Sequence, residues 1–199
     1  LLPYFIYTFE SMGEKGLGPR REEGRSLFEL QAVHFEDQKI YDPENPLLPQ
    51  TLPYQSLGLT PLSGDEAVKK LRIHLLTPLR MKNQGRLVSE LDLLLLLRAV
   101  LRRLKALFSE FSSNSWNLDE RELFKKIDQV QITSSQLHWE DQIRYSNRQK
   151  SKQRLGGMLG FIDLEGELAP YMPLLRAAEK VHIGKETSFG LGKISLEAL

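Results

Sequence analysis

The residues best suited to chemistry lie near the end of the chain, in Lys180–Ala198 (KVHIGKETSFGLGKISLEA). His182 precedes a loop with glycines at 184, 190 and 192 and cations at Lys185 and Lys193. Imidazole titrates near neutrality, so His182 suits proton transfer or phosphate contact; a helix-terminal histidine favoured by the dipole is the alternative. Glycines let a backbone pass close to a bulky anion, because no Cβ blocks the approach and positive φ is allowed. Successive loop N–H groups can then face phosphate oxygens while lysines add charge. The pattern predicts a phosphate- or nucleic-acid-binding loop between a helix and a terminal strand, Lys193–Leu196; a structural Gly-rich turn is the competing reading. A Walker A loop is excluded, because five residues separate Gly184 from Gly190 and Leu191 follows. A dinucleotide fingerprint is excluded by order, since here the helix precedes the glycines and the strand follows them.

A second basic cluster comprises Arg144, Arg148, Lys150, Lys152 and Arg154, on one parity and with no acidic residue among them. Extended, they form a cationic stripe on one strand face; if 147–153 turns, they form a cationic hairpin tip. The charge pattern alone equally describes a solvated edge whose lysines block strand-to-strand association. The other histidines carry less. His74 falls at the opposite parity from Ile73 and Leu75, His138 adjoins Trp139 and could help stack a base, and His34 carries no signal. Four scattered histidines without paired carboxylates predict no metal site, and no cofactor motif is present.

A net charge of +1 places any polyanion site in a local patch rather than a global field. The absence of cysteine excludes disulfides, thiolate metal sites and a cysteine nucleophile, and fits a reducing, cytoplasmic setting. The apolar run Leu91–Leu97 continues into Arg98, Arg102, Arg103 and Lys105, too short and too charged to span a bilayer. No membrane partner is expected.

These sites must be positioned by the surrounding elements. Five prolines at 43, 46, 49, 53 and 61 mark a linker over 42–66, dividing a short piece, 1–41, from a domain over 67–199. Within the domain, Ala67–Leu76 reads as a strand, and Ser89 with Asp92 as a capping box for a helix over Leu91–Phe108. Gln129–Tyr145 and Met158–Leu168 read as further strands, and Tyr171–Val181 as a helix before the glycine loop. The order βαββαβ predicts an α+β, ferredoxin-like fold with both helices on one face of an antiparallel sheet. The opposite sheet face would be free to bind, as it is in RNA-recognition modules. In the first piece, Pro3–Glu14 reads as a helix, Gly16–Arg21 as a basic glycine loop containing Arg20 and Arg21, and Leu27–Val33 as a strand. That repeats helix, loop and strand, so 1–41 is expected to be the tail of a first ferredoxin-like domain whose front is missing.

Several stretches in order resemble one family. They are Leu17-Gly18-Pro19-Arg20 with Phe28-Glu29-Leu30, then Thr77-Pro78-Leu79-Arg80 and Arg144-Tyr145-Ser146-x-Arg148-Gln149. Gly156-Gly157-Met158-Leu159-Gly160 and His182-Ile183-Gly184-Lys185 with Ser188-Phe189-Gly190-Leu191-Gly192 complete the set. Together they resemble the CRISPR-associated repeat-processing endoribonuclease of the RAMP superfamily. The resemblance implies RNA contacts from Gly184, Lys185, Ser188, Gly190, Gly192 and Lys193, and turns the 144–154 cations and Arg20 and Arg21 into RNA contacts. It implies metal-independent cleavage of precursor crRNA repeats, in which a ribose 2′-hydroxyl attacks the adjacent phosphate. It further implies that the principal catalytic histidine lies in the absent front region, leaving His182 as the catalytic candidate here. The partners implied are RNA and either a homodimer or a CRISPR effector complex. The competing expectations are a non-catalytic RAMP subunit that holds crRNA, and a ferredoxin-like protein-interaction module.

Overall fold

A computed structural model of the chain describes residues 2–21, 24–51, 57–112, 115–146 and 150–199. It divides into two compact units, Leu1–Ser56 and Leu57–Leu199.

In the first unit, α1 (Leu2–Lys15) buries Ile6 and Gly13 and leaves Tyr4, Phe5, Tyr7 and Phe9 exposed. Gly16 ends the helix at φ 73°, with its N–H donating to Met12 O at 2.9 Å, a left-handed C-terminal cap that turns the chain sharply. The sequence reading placed a glycine loop over Gly16–Arg21 and a strand over Leu27–Val33; the structure corrects both. Leu17–Arg21 is itself a strand (β1), paired antiparallel with β2 (Gly24–Ser26), and 27–32 carry no regular structure. Because the cap reverses the chain at once, Leu17 is already opposite Ser26, and no separate loop remains before the strand. A second hairpin joins β3 (Val33–Phe35) to β4 (Gln38–Tyr41), and Tyr41 Oη donates to Glu10 Oε1 at 2.6 Å, fixing that hairpin to α1.

The second unit is a ferredoxin-like α+β domain. Its strands β5 (Lys70–Leu79), β8 (Val130–Glu140), β11 (Gly157–Gly166) and β12 (Ile194–Ala198) form one sheet in the order β12-β5-β11-β8. Every neighbouring pair is antiparallel. The two-residue strands β6 (Lys82–Asn83) and β7 (Arg86–Leu87) make a small hairpin beyond β5. Leu71, Ile73, Leu75, Ile162, Leu164 and Ile194 point to one face and are buried there. Helices α2 (Leu93–Phe111) and α4 (Met172–Val181) supply most of the remaining core, joined by residues such as Met158, Leu168, Tyr171 and Ile183. In α2 the buried Leu93, Leu96, Leu97, Val100, Leu101 and Leu104 repeat at the spacing of a single helical stripe. Its N-cap is Asp92, whose carboxylate accepts from Leu95 N at 3.0 Å, so the expected Ser89 cap is displaced by three residues. The short α3 (Glu120–Phe124) is capped by Asp119 in the same manner.

Two strand boundaries differ from expectation because local turns and their hydrogen bonds intervene. Asp65–Ala67 forms a 3₁₀ turn, so β5 starts at Lys70 and runs on through Pro78 to Leu79. The long strand expected over Gln129–Tyr145 breaks after Glu140. Trp139 Nε1 donates to Asp141 Oδ1 at 2.9 Å and Leu155 N to Gln142 O at 2.7 Å, and the chain re-enters a separate hairpin, β9 (Ile143–Ser146) with β10 (Ser151–Arg154). At Gly160, φ is 118° and a Cβ would stand 1.9 Å from Gln136 O, so the glycine lets β8 close against β11 beside the irregularity in the β11–β5 pairing.

Candidate nucleic-acid interface

The glycine loop closes on itself and on the end of β5. Ile183 is buried, and its N–H donates to Gly192 O at 2.9 Å. A Cβ at Gly192 would lie 1.8 Å from Ile183 O, and one at Gly184 would lie 2.6 Å from Arg80 O. These two glycines therefore serve the loop's own closure, and Gly192 is buried. Thr187–Phe189 winds into a 3₁₀ turn, and Gly190 follows at φ 82° with nothing within 4 Å of its Cβ position. Lys185, Ser188, Gly190 and Lys193 are exposed.

The loop's amides are largely engaged within the chain. Lys185 N donates to Arg80 O, Gly192 N to Pro78 O, Phe189 N to Glu186 O, Gly190 N to Thr187 O and Lys193 N to Thr77 Oγ1. An anion would therefore meet the ammonium groups of Lys185 and Lys193 and the Ser188 hydroxyl rather than these N–H groups. His182 caps α4 at φ 54°, an uncommon backbone for a non-glycine residue. Its Nδ1 lies 3.1 Å from Leu191 O. A carbonyl can only accept, so Nδ1 carries the proton and Nε2 of the neutral ring keeps its lone pair.

The basic cluster adopts the hairpin alternative, and the register sorts its members onto two faces. Arg144 is opposite Gln153 on one face, while Tyr145 opposite Lys152 and Ile143 opposite Arg154 share the other. The single-face stripe is thus corrected: pairing across β9 and β10 separates Arg144 from Lys152 and Arg154. Lys152, Arg154 and Lys150 are exposed, and so are Tyr145 and Ile143. The guanidinium of Arg144 lies over the ring of Phe189, 4.2 Å from its centroid. That contact joins the hairpin to the glycine loop. Arg80 adds a strut at the hairpin's root, donating to Gly156 O at 2.7 Å. Arg148 lies outside the described residues; Arg20 and Arg21 belong to β1 of the other unit, and their side chains are also outside them.

The open face of the sheet is charge-matched rather than cationic. Arg72 makes a two-pronged ion pair with Asp163 (2.7 and 2.9 Å) and lies over Phe161, while His74 Nε2 meets Glu197 at 2.7 Å and Lys70 meets Glu165 at 3.2 Å. The Arg72 hydrogen bonds hold the Asp163 carboxyl below the usual carboxylate range, keeping the pair ionised. A face with its cations already paired offers a polyanion little, so the candidate interface is the loop and hairpin, not the sheet surface expected from RNA-recognition modules. His138 is exposed on β8, at the opposite edge of the sheet from β12, and His34 lies on β3 of the other unit. Thr77, Arg80 and Phe189 fall within the stretches that carry the resemblance, but their roles are not legible there, because they come from contacts across 113, 76 and 45 positions. Among the described residues, no group of three His, Asp or Glu is placed to hold a metal, and no helix is long and apolar enough to cross a membrane.

The profile of the family described as CRISPR-associated endoribonuclease Cas6 matches residues 73–194, which run from β5 to the start of β12. No curated protein matches the chain. Among solved structures, Thermus thermophilus Cas6 is similar at 16% identity and a TM-score of 0.49, covering 65% of this chain and 53% of that one. A Cas6 product complex is similar at 20% identity and a TM-score of 0.46, covering 64% and 51%. A partial Cas6-RT-Cas1–Cas2 complex is similar at 21% identity and a TM-score of 0.47, covering 68% and 23%. The chain thus spans about half the length of these two Cas6 chains. With its profile match extending over more than half of its residues and through both segments of the interface, this chain belongs to the CRISPR-associated Cas6 endoribonuclease family.

Proposed function

We propose that this chain binds the repeat of a precursor CRISPR RNA across the 182–193 loop and the 143–154 hairpin, and takes part in its cleavage. The observation that carries this reading is the Arg144–Phe189 stack, which brings the two basic segments together on one side of the domain. Lys185 and Lys193 from the loop, with Lys150, Lys152 and Arg154 from the hairpin, supply the charge to track a phosphate backbone. Ser188 and the backbone at Gly190 line the exposed crest between them.

Cleavage on this reading needs no metal. The ribose 2′-hydroxyl attacks the adjacent phosphorus as its proton leaves; the P–O bond to the 5′ oxygen of the next nucleotide breaks, and that oxygen takes a proton. The products are a 2′,3′-cyclic phosphate and a 5′-hydroxyl. His182 can accept or deliver a proton at Nε2, with the Leu191 carbonyl orienting the ring through Nδ1–H. Lys185 stabilises charge on the phosphoryl oxygens. Assembly with a second copy or with other CRISPR proteins belongs to the same proposal.

A second reading, a subunit that holds crRNA without cutting it, is favoured by one observation. The ring partner of His182 is a backbone carbonyl, not a second acid–base group.

The test uses a fluorescein-labelled transcript of one host CRISPR repeat. Binding should weaken with salt by about 0.7 log units per released ion, and cleavage should persist in EDTA and leave a cyclic phosphate. His182→Ala should lower the rate about 100-fold while leaving affinity within a few-fold. Binding that ignores salt would refute the interface, and cleavage that requires added metal would refute the mechanism. Binding without cleavage would select the second reading.

A further inference from the structure

The crest of the glycine loop is held by a side chain that the proposed reaction does not use. Thr77, near the end of β5, donates its hydroxyl to Gly190 O at 2.9 Å and accepts from Lys193 N at 2.8 Å. One hydroxyl thus clasps both flanks of Leu191-Gly192 from a strand 113 and 116 positions away in sequence. The backbone reinforces the attachment, since Leu76 N donates to Lys193 O at 2.9 Å. At the first clasped residue the loop presents Gly190, whose Cβ position meets nothing within 4 Å, and directly before it Phe189, which carries Arg144.

We propose that Thr77 is a positioning residue for RNA binding, an inference that rests on the RNA-binding reading above. Its hydroxyl sets where the Lys193 ammonium and the Phe189–Gly190 crest stand relative to the hairpin cations, so that loop and hairpin meet one phosphate backbone together. Valine matches threonine in shape but offers neither donor nor acceptor; serine offers both. Without the hydroxyl, Gly190 O and Lys193 N turn to water, and the crest loses its side-chain tie to β5.

The experiment measures anisotropy of the labelled repeat transcript across a salt series, with wild type, Thr77→Val, Thr77→Ser and Lys193→Gln, each checked by thermal melting. Thr77→Val should bind about tenfold more weakly, and Thr77→Ser within about twofold of wild type. The distinguishing result is the salt slope. Thr77→Val removes no charge, yet its slope should fall by about 0.7, as in Lys193→Gln, because the lysine no longer reaches its phosphate. Wild-type affinity in folded Thr77→Val, or weaker binding with an unchanged slope, overturns the proposal. Failure of the wild type itself to bind RNA removes the underlying reading, and is recognised because it needs no substitution. Should Thr77→Val not fold, amide exchange in the wild type decides: the Lys193 N–H should be protected, and exchange at the rate of a free amide overturns the clasp.

Discussion

Gly192→Ala should destabilise the unit Leu57–Leu199 by about 3–5 kcal/mol, whereas Gly190→Ala should cost about 1 kcal/mol. Both glycines have positive φ, 77° and 82°, so both substitutions carry the strain of a left-handed non-glycine residue. They differ in what the added carbon meets. At 192 it would lie 1.8 Å from Ile183 O, a backbone atom of a buried residue held by its own hydrogen bond to Gly192 O. Neither side can yield without opening the crossing that closes the loop. At 190 it meets nothing within 4 Å. Urea denaturation followed by circular dichroism measures the two costs, and equal losses would show that loop closure does not depend on this crossing. The folded Gly190→Val protein then becomes the functional probe. It should lose RNA affinity if the backbone there approaches a phosphate, and retain it if the loop is a structural turn.

Removing the carboxylate of Asp65 should cost about 3 kcal/mol, the second large effect. Asp65 is 4% exposed and accepts two hydrogen bonds from Arg176 at 2.5 and 2.6 Å, plus one from Leu62 N at 2.8 Å. The pair anchors the turn preceding β5 to α4, and Asp65→Ala would leave the guanidinium part-buried without its partner. The Arg176 hydrogen bonds hold the Asp65 carboxyl below its ordinary value of 3.8. A depressed folded value gives stability that is fully present above the unfolded pKa and is lost as pH falls through the folded one. The urea midpoint of the wild type should therefore drop steeply below about pH 4, and part of that drop should vanish in Asp65→Ala. A variant with wild-type stability and wild-type acid sensitivity would show that the pair contributes nothing.

The sequence was sufficient wherever the determining forces are local. The parity of Leu71, Ile73 and Leu75, the helical stripe from Leu93 to Leu104 and the apolar face of α4 each follow from the period of one element. Their order admits few topologies, so βαββαβ already implied the sheet order observed. The glycine loop and the basic cluster were also visible, because glycine and charge clusters declare themselves without partners. What the individual glycines do was not visible. Gly184 and Gly192 close the loop while Gly190 stands open, a distinction made by carbonyl groups of Arg80 and Ile183 arriving from elsewhere.

Three further decisions belonged to tertiary structure alone. Cross-strand register sent Arg144 to one face of the hairpin and Lys152 with Arg154 to the other, because a turn reverses the parity count that a single strand would keep. Ion pairs between β5 and β11, Arg72 with Asp163 and Lys70 with Glu165, matched the charges of a sheet face that the element order alone leaves free to bind. Thr77, lastly, became the clasp of a loop 113 residues away, since a hydroxyl's partners depend on which backbone the fold delivers to it. Periodicity and composition report what each segment can bury. Which polar groups meet is settled only when those buried faces have packed.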